Sequence, residues 1–146
     1  MSSHWTYNNK IIDTPPKGAF GFVYEITNLV TGQKYIGRKY LSSTRRKPPK
    51  KGMKRRTVVK SESNWASYTG SCIPLNEDIA KLTKKNFKFE IVAFGSTKGQ
   101  VNFLEEVIQI KRNVLVDDSY YNDSVGSRRF VNVKITPELK EVMMGL

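Results

Sequence analysis

The most concentrated chemistry in this 146-residue chain is cationic. Residues 38 to 60 hold eleven basic side chains (Arg38, Lys39, Arg45, Arg46, Lys47, Lys50, Lys51, Lys54, Arg55, Arg56 and Lys60) and no acid. The other 123 residues carry fourteen basic against thirteen acidic groups, so the +12 of the whole chain is a local excess. A run of like charge is commonly a solvated tail. Here it stands directly after a tyrosine-bearing strand and just before Trp65 and Tyr68, which favours an arm that grips a nucleic-acid backbone. Upstream are two phenols, Tyr24 and Tyr35, with ten residues between them. A phenol ionises near pH ~10, so it can take a proton only beside a cation that stabilises phenolate.

Other chemistries fall away. One cysteine, Cys72, cannot form an intramolecular disulfide framework, and with one histidine it cannot supply a four-ligand Cys/His zinc site. A Ser-His-Asp or Cys-His enzyme would have to use His4, beside a terminus expected to fray. No apolar run reaches membrane-span length and no secretion signal is read at the amino terminus, so a cytoplasmic protein is expected.

The elements that must position these groups are read from periodicity. Residues 1 to 18 read as an irregular lead-in closed by the turn signal Pro15-Pro16-Lys17-Gly18. Phe20, Phe22, Tyr24 and Ile26 alternate with Gly21, Val23 and Glu25, which predicts a strand. Lys34-Tyr35-Ile36-Gly37 begins a second, paired with the first as an antiparallel hairpin. Pro48-Pro49 and Gly52 interrupt any helix through the basic segment, so a loop or disordered arm is expected there. A short helical turn follows within 61–71, then a helix over 75–84 and a third strand over 87–94. Between Val101 and Leu115 the apolar residues Val101, Phe103, Leu104, Val107, Ile108, Ile110, Val114 and Leu115 fill one half of a helical wheel. Glu105 and Glu106 fall outside opposite edges of that half, so they cannot share a role. The tail offers a short strand over 130–135 and a helix start at Thr136-Pro137-Glu138.

The hairpin, Gly21-Phe22-Val23-Tyr24 followed by Tyr35-Ile36-Gly37, resembles the GIY-YIG nuclease family. The second tripeptide matches in full, and in the first the tyrosine is kept while the glycine is displaced by one. Glu106, four residues before Ile110 with Lys111 next, matches the family's helix glutamate; Tyr121-Asn122 matches its late asparagine. The stretch from Trp65 to Ser71, with Lys85 to Ile91 beyond it, is similar to free-standing phage and intron-associated members. The resemblance spans about residues 20 to 125 and implies an α/β (α+β) fold: a small, mainly antiparallel central sheet of about three strands flanked by helices. The domain is set at 19–125 with a basic insertion at 38–60, between the lead-in of 1–18 and a C-terminal extension of 126–146.

The same resemblance implies a metal-dependent DNA endonuclease, phage- or mobile-element-encoded, working in host cytoplasm. Glu106 would hold Mg²⁺, or another divalent ion such as Mn²⁺, in a site that leaves the ion most of its waters. Tyr24 would accept or relay the proton of the attacking water, and Tyr35 would orient the water or the scissile phosphate. The family's arginine slot falls to Arg45 by spacing, yet Arg38 and Lys39 directly follow the strand and are preferred; Asn122 completes the set. Contacts to double-stranded DNA are assigned to Arg45, Arg46, Lys47, Lys50, Lys51, Lys54, Arg55, Arg56, Lys60, Trp65 and Tyr68, with Arg128 and Arg129 adding to them from the tail. No membrane and no obligate protein partner are implied, and a dimer stays open. The alternatives are a non-catalytic binding module of the same fold and an RNA-binding protein using the same arm. If the arm neutralises about six phosphates, log affinity plotted against log salt should fall with a slope of about −5. A fluorescence-anisotropy titration of a short duplex across a salt series measures this, and a flat line would remove the arm from the interface.

Overall fold

The computed structural model describes residues 3–126, 130–131 and 134–146, with the backbone alone at 45, 130 and 131. Its centre is a strand over Gly21–Asn28 (β3), flanked antiparallel by Lys34–Tyr40 (β4) on one side and Phe87–Gly95 (β7) on the other. The expected β3–β4 hairpin is therefore present, with Tyr24 opposite Gly37 and Ile26 opposite Tyr35. Between Val23 and Tyr24 the register of β3 on β7 jumps from Ala93 to Ile91, a bulge that adds one residue to β7.

The sheet has five strands rather than three, the two extra ones lying beyond β7. The two extra strands come from the segment expected to be irregular. Thr6–Tyr7 (β1) pairs parallel to β7, and Lys10–Ile11 (β2) turns back antiparallel onto it. Trp5 explains why this segment orders: its ring is fully buried against Phe22 and Tyr24, and its indole N–H donates to the Trp65 carbonyl at 2.6 Å. A buried aromatic removes roughly 150–250 Å² from water. At about 25 cal/mol per Å² that is on the order of 4–6 kcal/mol, which offsets the ordering of about three or four backbone residues.

Alternation along β3 divides the core. Phe22, Tyr24 and Ile26 face a cluster containing Trp5, Trp65, Leu75, Phe87, Phe89 and Ile91. That layer is closed by the short 3-10 turn Trp65–Ser67 and by the helix Ile73–Leu82 (α1), whose Ile79 and Leu82 pack against it as the spacing predicts. Val23 and Ile36 face the other way, toward Val114, Val125, Leu104 and Ile108. The helix Lys98–Lys111 (α2) lies on this second face, its start capped by the Thr97 hydroxyl accepting from Gln100 N–H.

The basic segment is not a loop. Ser42–Lys47 (β5) and Thr57–Glu62 (β6) form a two-stranded antiparallel ribbon, in register from Ser42↔Glu62 to Lys47↔Thr57. Pro48, Pro49 and Gly52 lie in the connecting turn, where proline costs no ladder hydrogen bond. Past the core, Ser124–Val125 (β8) pairs with Phe130–Val131 (β9), and Pro137–Met144 (α3) begins at the Thr136 cap as expected. The remainder of the strand expected over 130–135 falls partly at positions outside the described residues, as do Arg128 and Arg129. Among the described residues no helix is long and apolar enough to cross a membrane.

His4 is packed rather than frayed. Its ring stacks on Phe89 at 4.0 Å, Nε2 donates to the Tyr68 carbonyl at 2.9 Å, and the buried Nδ1 has no partner among the described residues. Burial, and then the nearby Lys84 charge, lower its pKa from 6.5 to about 4. Between those values the unfolded chain binds the proton and the folded chain does not, so folding stability falls as pH drops from 6.5 toward 4. Urea unfolding at pH 7 and pH 4.5 should show His4→Gln losing less stability across this interval than the unmodified chain. Equal losses would mean that the ring is not buried neutral.

Candidate active site

The site is built around the outer edge of β4. Alternation on that strand sends Tyr35, Gly37 and Lys39 to the face that carries Tyr24, and Ile36, Arg38 and Tyr40 to the face covered by α2. A cleft of about 1050 Å³ runs past the edge and gathers both sets: Tyr24, Tyr35, Lys39 and Tyr68 from one side, Arg38, Tyr40, Glu105 and Gln109 from the other.

The phenol of Tyr24 reaches this edge by lying across β4 at Gly37. A Cβ on Gly37 would stand 2.5 Å from the Tyr24 hydroxyl, 2.7 Å from its Cζ and 2.9 Å from Tyr35 Cε2. Only a residue without a side chain leaves room for both rings. Gly21 has a similar task one turn of the ladder away, since a Cβ there would meet the Lys39 carbonyl at 2.6 Å. The displaced first glycine of the motif thus allows close β3–β4 approach where the strand begins.

Both phenols are held protonated. Tyr24 is 1 % exposed, and burial is the main reason its pKa stands well above 10, with Tyr35, Tyr68 and Glu105 adding to it. Burial likewise raises Tyr35, helped by Cys72 and Glu105. Lys39, whose pKa burial lowers, sits 4.0 Å above the Tyr68 ring on the same face.

Of the two helix glutamates it is Glu105 that lines the cleft, where Asp123 is the other carboxylate. Glu105 is 5 % exposed and its Oε1 accepts from Arg38 Nη1 at 2.5 Å. Burial raises its pKa above the ordinary glutamate value; the Arg38 charge opposes that rise and Glu106 adds to it. Glu106 lies instead against Gly126, with Cδ 3.4 Å from the place a Cβ there would take. The buried stripe of α2 is Val101, Glu105 and Gln109, while Phe103 and Ile110 are 67 % and 55 % exposed. At 100° per residue that stripe is turned by about a third of a revolution from the centre of the apolar half of the wheel. The turn brings Glu105 inward and carries Glu106 off the sheet.

Gln109 is the residue that sequence reasoning missed. It is 3 % exposed; its Nε2 donates to the Ile36 carbonyl at 3.0 Å and its Oε1 accepts from Gly126 N–H at 2.7 Å. Its spacing of four from Glu105 was the available signal. Asn122 works on the same residue: Oδ1 accepts from Ile36 N–H at 3.0 Å and Nδ2 donates to the Ile36 carbonyl at 2.8 Å. Both amides fasten the open edge of β4 between the residues that carry Tyr35 and Gly37, so they are positioning residues.

The remaining expectations divide. Arg38 and Lys39 both line the cleft, on opposite faces of their strand. Arg45 belongs to β5, with its side chain outside what is described. Trp65 is not a surface aromatic: it is 3 % exposed, and its indole N–H donates to Glu62 at 3.0 Å. Tyr68 does line the cleft. Among the described residues no group of three or more His, Cys, Asp or Glu side chains is placed to hold a metal ion.

A family model described as "Putative endonuclease segE, GIY-YIG domain" matches residues 5–125. The chain belongs to the GIY-YIG endonuclease family. The match starts at Trp5, as the buried lead-in requires, and takes in the whole five-stranded sheet, the basic ribbon and α2. No curated protein and no solved structure matches the chain. Within this family member the tightest packing in the site is at Gly37, where an added methyl has no free space. Gly37→Ala should cost roughly 1–3 kcal/mol as an overpacking substitution. Urea unfolding measures that cost, and a fully stable variant would show that Tyr24 does not lie over the strand.

Proposed function

We propose that this GIY-YIG family member is a divalent-metal-dependent endonuclease that hydrolyses phosphodiester bonds in double-stranded DNA. The observation that carries the reading is the convergence of Tyr24, Tyr35, Arg38 and Glu105 on one cleft beside a cationic ribbon. The likeness of Trp65 to Ser71 to free-standing phage and intron-associated members supports an origin in a phage or mobile element, and with it action in host cytoplasm.

Glu105 is the residue that would hold the metal. It lines the cleft, where Asp123 is the other carboxylate, and its Oε1 is paired with Arg38. A single carboxylate suits Mg²⁺, which keeps most of its waters. When bound, the ion supplies charge stabilisation on the phosphoryl oxygens and lowers the pKa of a bound water. Hydrolysis then adds water across one P–O bond, with the hydroxyl going to phosphorus and the proton to the departing oxygen.

The chain's own groups divide the rest. Tyr24, protonated and buried, passes a proton on only by accepting another, so it serves as a relay. Tyr35, farther out along the same face, orients the water or the phosphate. Lys39 stands on the face of the phenols and favours any phenolate character that develops there. Arg38 exchanges its bond to Glu105 for one to the bound phosphate, a fork geometry to which guanidinium is suited. Gln109 and Asn122 keep β4 in register while this happens.

Supercoiled-plasmid nicking in Mg²⁺ tests the assignment. Glu105→Gln should lower the rate by about 10²-fold or more, the scale for losing a principal electrostatic group, while Glu106→Gln stays within a few-fold. Equal nicking by Glu105→Gln would overturn the metal-ligand assignment, nicking without metal would overturn the metal dependence, and a chain that does not nick at all would leave only the non-catalytic binding module.

A further inference from the structure

The ribbon of β5 and β6 is unlike the rest of the fold. From residue 43 to residue 62 every described side chain is exposed except Val59, and among the described residues no other element covers either face. A lone two-stranded ribbon is marginal in water. This one is fastened only at its base: Leu41 N–H donates to the Phe20 carbonyl at 2.9 Å, Ser63 N–H to the Leu41 carbonyl at 3.0 Å, and Ser63 Oγ to the Tyr40 carbonyl at 2.6 Å. Its faces carry charge rather than apolar surface. Thr44, Arg46, Val58 and Lys60 share one side, Lys47, Thr57 and Val59 the other, and the turn adds Lys50, Lys51, Lys54, Arg55 and Arg56.

We infer that the ribbon lies in the major groove of duplex DNA, on the flank of the phosphate held in the cleft. This rests on the endonuclease reading and gives its substrate a geometry. The B-DNA major groove, about 12 Å wide, admits a two-stranded ribbon as it stands, whereas the minor groove at about 6 Å must first be widened by deforming the duplex. The deep, narrow major groove of duplex RNA is closed to side chains. Ser42, Ser43 and Thr44 line the cleft, so the ribbon starts at the site itself. Six residues per strand extend it by about 20 Å, which is a little over half of a ~34 Å turn of DNA. The cationic turn then meets phosphates across the groove, and the mixed Thr, Val, Arg and Lys faces present hydrogen-bond donors and methyl groups to base edges.

Binding of the full chain to three 40-base-pair duplexes of one sequence tests this: plain DNA, DNA with C5-propynyl pyrimidines that fill the major groove, and RNA. The propynyl and RNA duplexes should each bind about tenfold more weakly than plain DNA, the scale of one lost base-edge contact. Arg46→Gln with Lys60→Gln, both exposed and harmless to folding, should weaken plain DNA and shrink the difference. Equal affinity for all three duplexes, or unchanged binding by the double variant, overturns the groove assignment. Plasmid nicking by the same preparation keeps the two readings apart. Nicking without groove discrimination sinks the ribbon alone, and discrimination without nicking sinks the nuclease alone.

Discussion

Everything in the site follows from a missing methyl group. Tyr24 and Gly37 are cross-strand partners, and a tyrosine in the middle of a sheet would ordinarily keep its hydroxyl among the core aromatics. Because Gly37 has no Cβ, the Tyr24 ring lies over β4 and delivers its oxygen to the strand's open edge. Tyr35, two residues earlier on the same face, meets it there with ring centroids 6.2 Å apart. The strand must then stay fixed under two rings, which explains why both amide side chains of the site are spent on the backbone of Ile36. Chemistry at the edge and rigidity of the edge are one constraint.

The second helix shows what such a site costs a fold. Helices normally turn their apolar half inward, yet α2 buries a glutamate and a glutamine and leaves Phe103 and Ile110 in water. Buried polar groups are tolerable only when paired. Glu105 has Arg38; Gln109 has the Ile36 carbonyl and Gly126 N–H. The pairing of Glu105 is incomplete, since its pKa remains raised even with Arg38 beside it.

Much of the frame was legible in the sequence. Period-two alternation located β3, β4 and β7, and the tyrosine spacing on the hairpin pointed to the family. The rest failed for identifiable reasons. Trp5 lies among polar neighbours, so its capacity to pull residues 6–11 into the sheet is invisible without the partner Phe22. The basic segment has prolines that exclude a helix, but they sit in its turn and leave both flanks free to pair. The register with Ile110 and Lys111 favours Glu106, and an apolar wheel does not reveal that α2 buries Glu105 and Gln109 through hydrogen bonding and charge.

Asn122 also sets an order in time. The strand it completes is made early in synthesis, 86 positions before the amide that pairs with Ile36. Until that stretch has left the ribosome and folded back, the edge of β4 shows free N–H and C=O groups and the cleft lacks one wall. A nascent chain therefore carries both tyrosines beside an edge not yet closed, and the same unclosed edge is a template for strand pairing between shortened fragments.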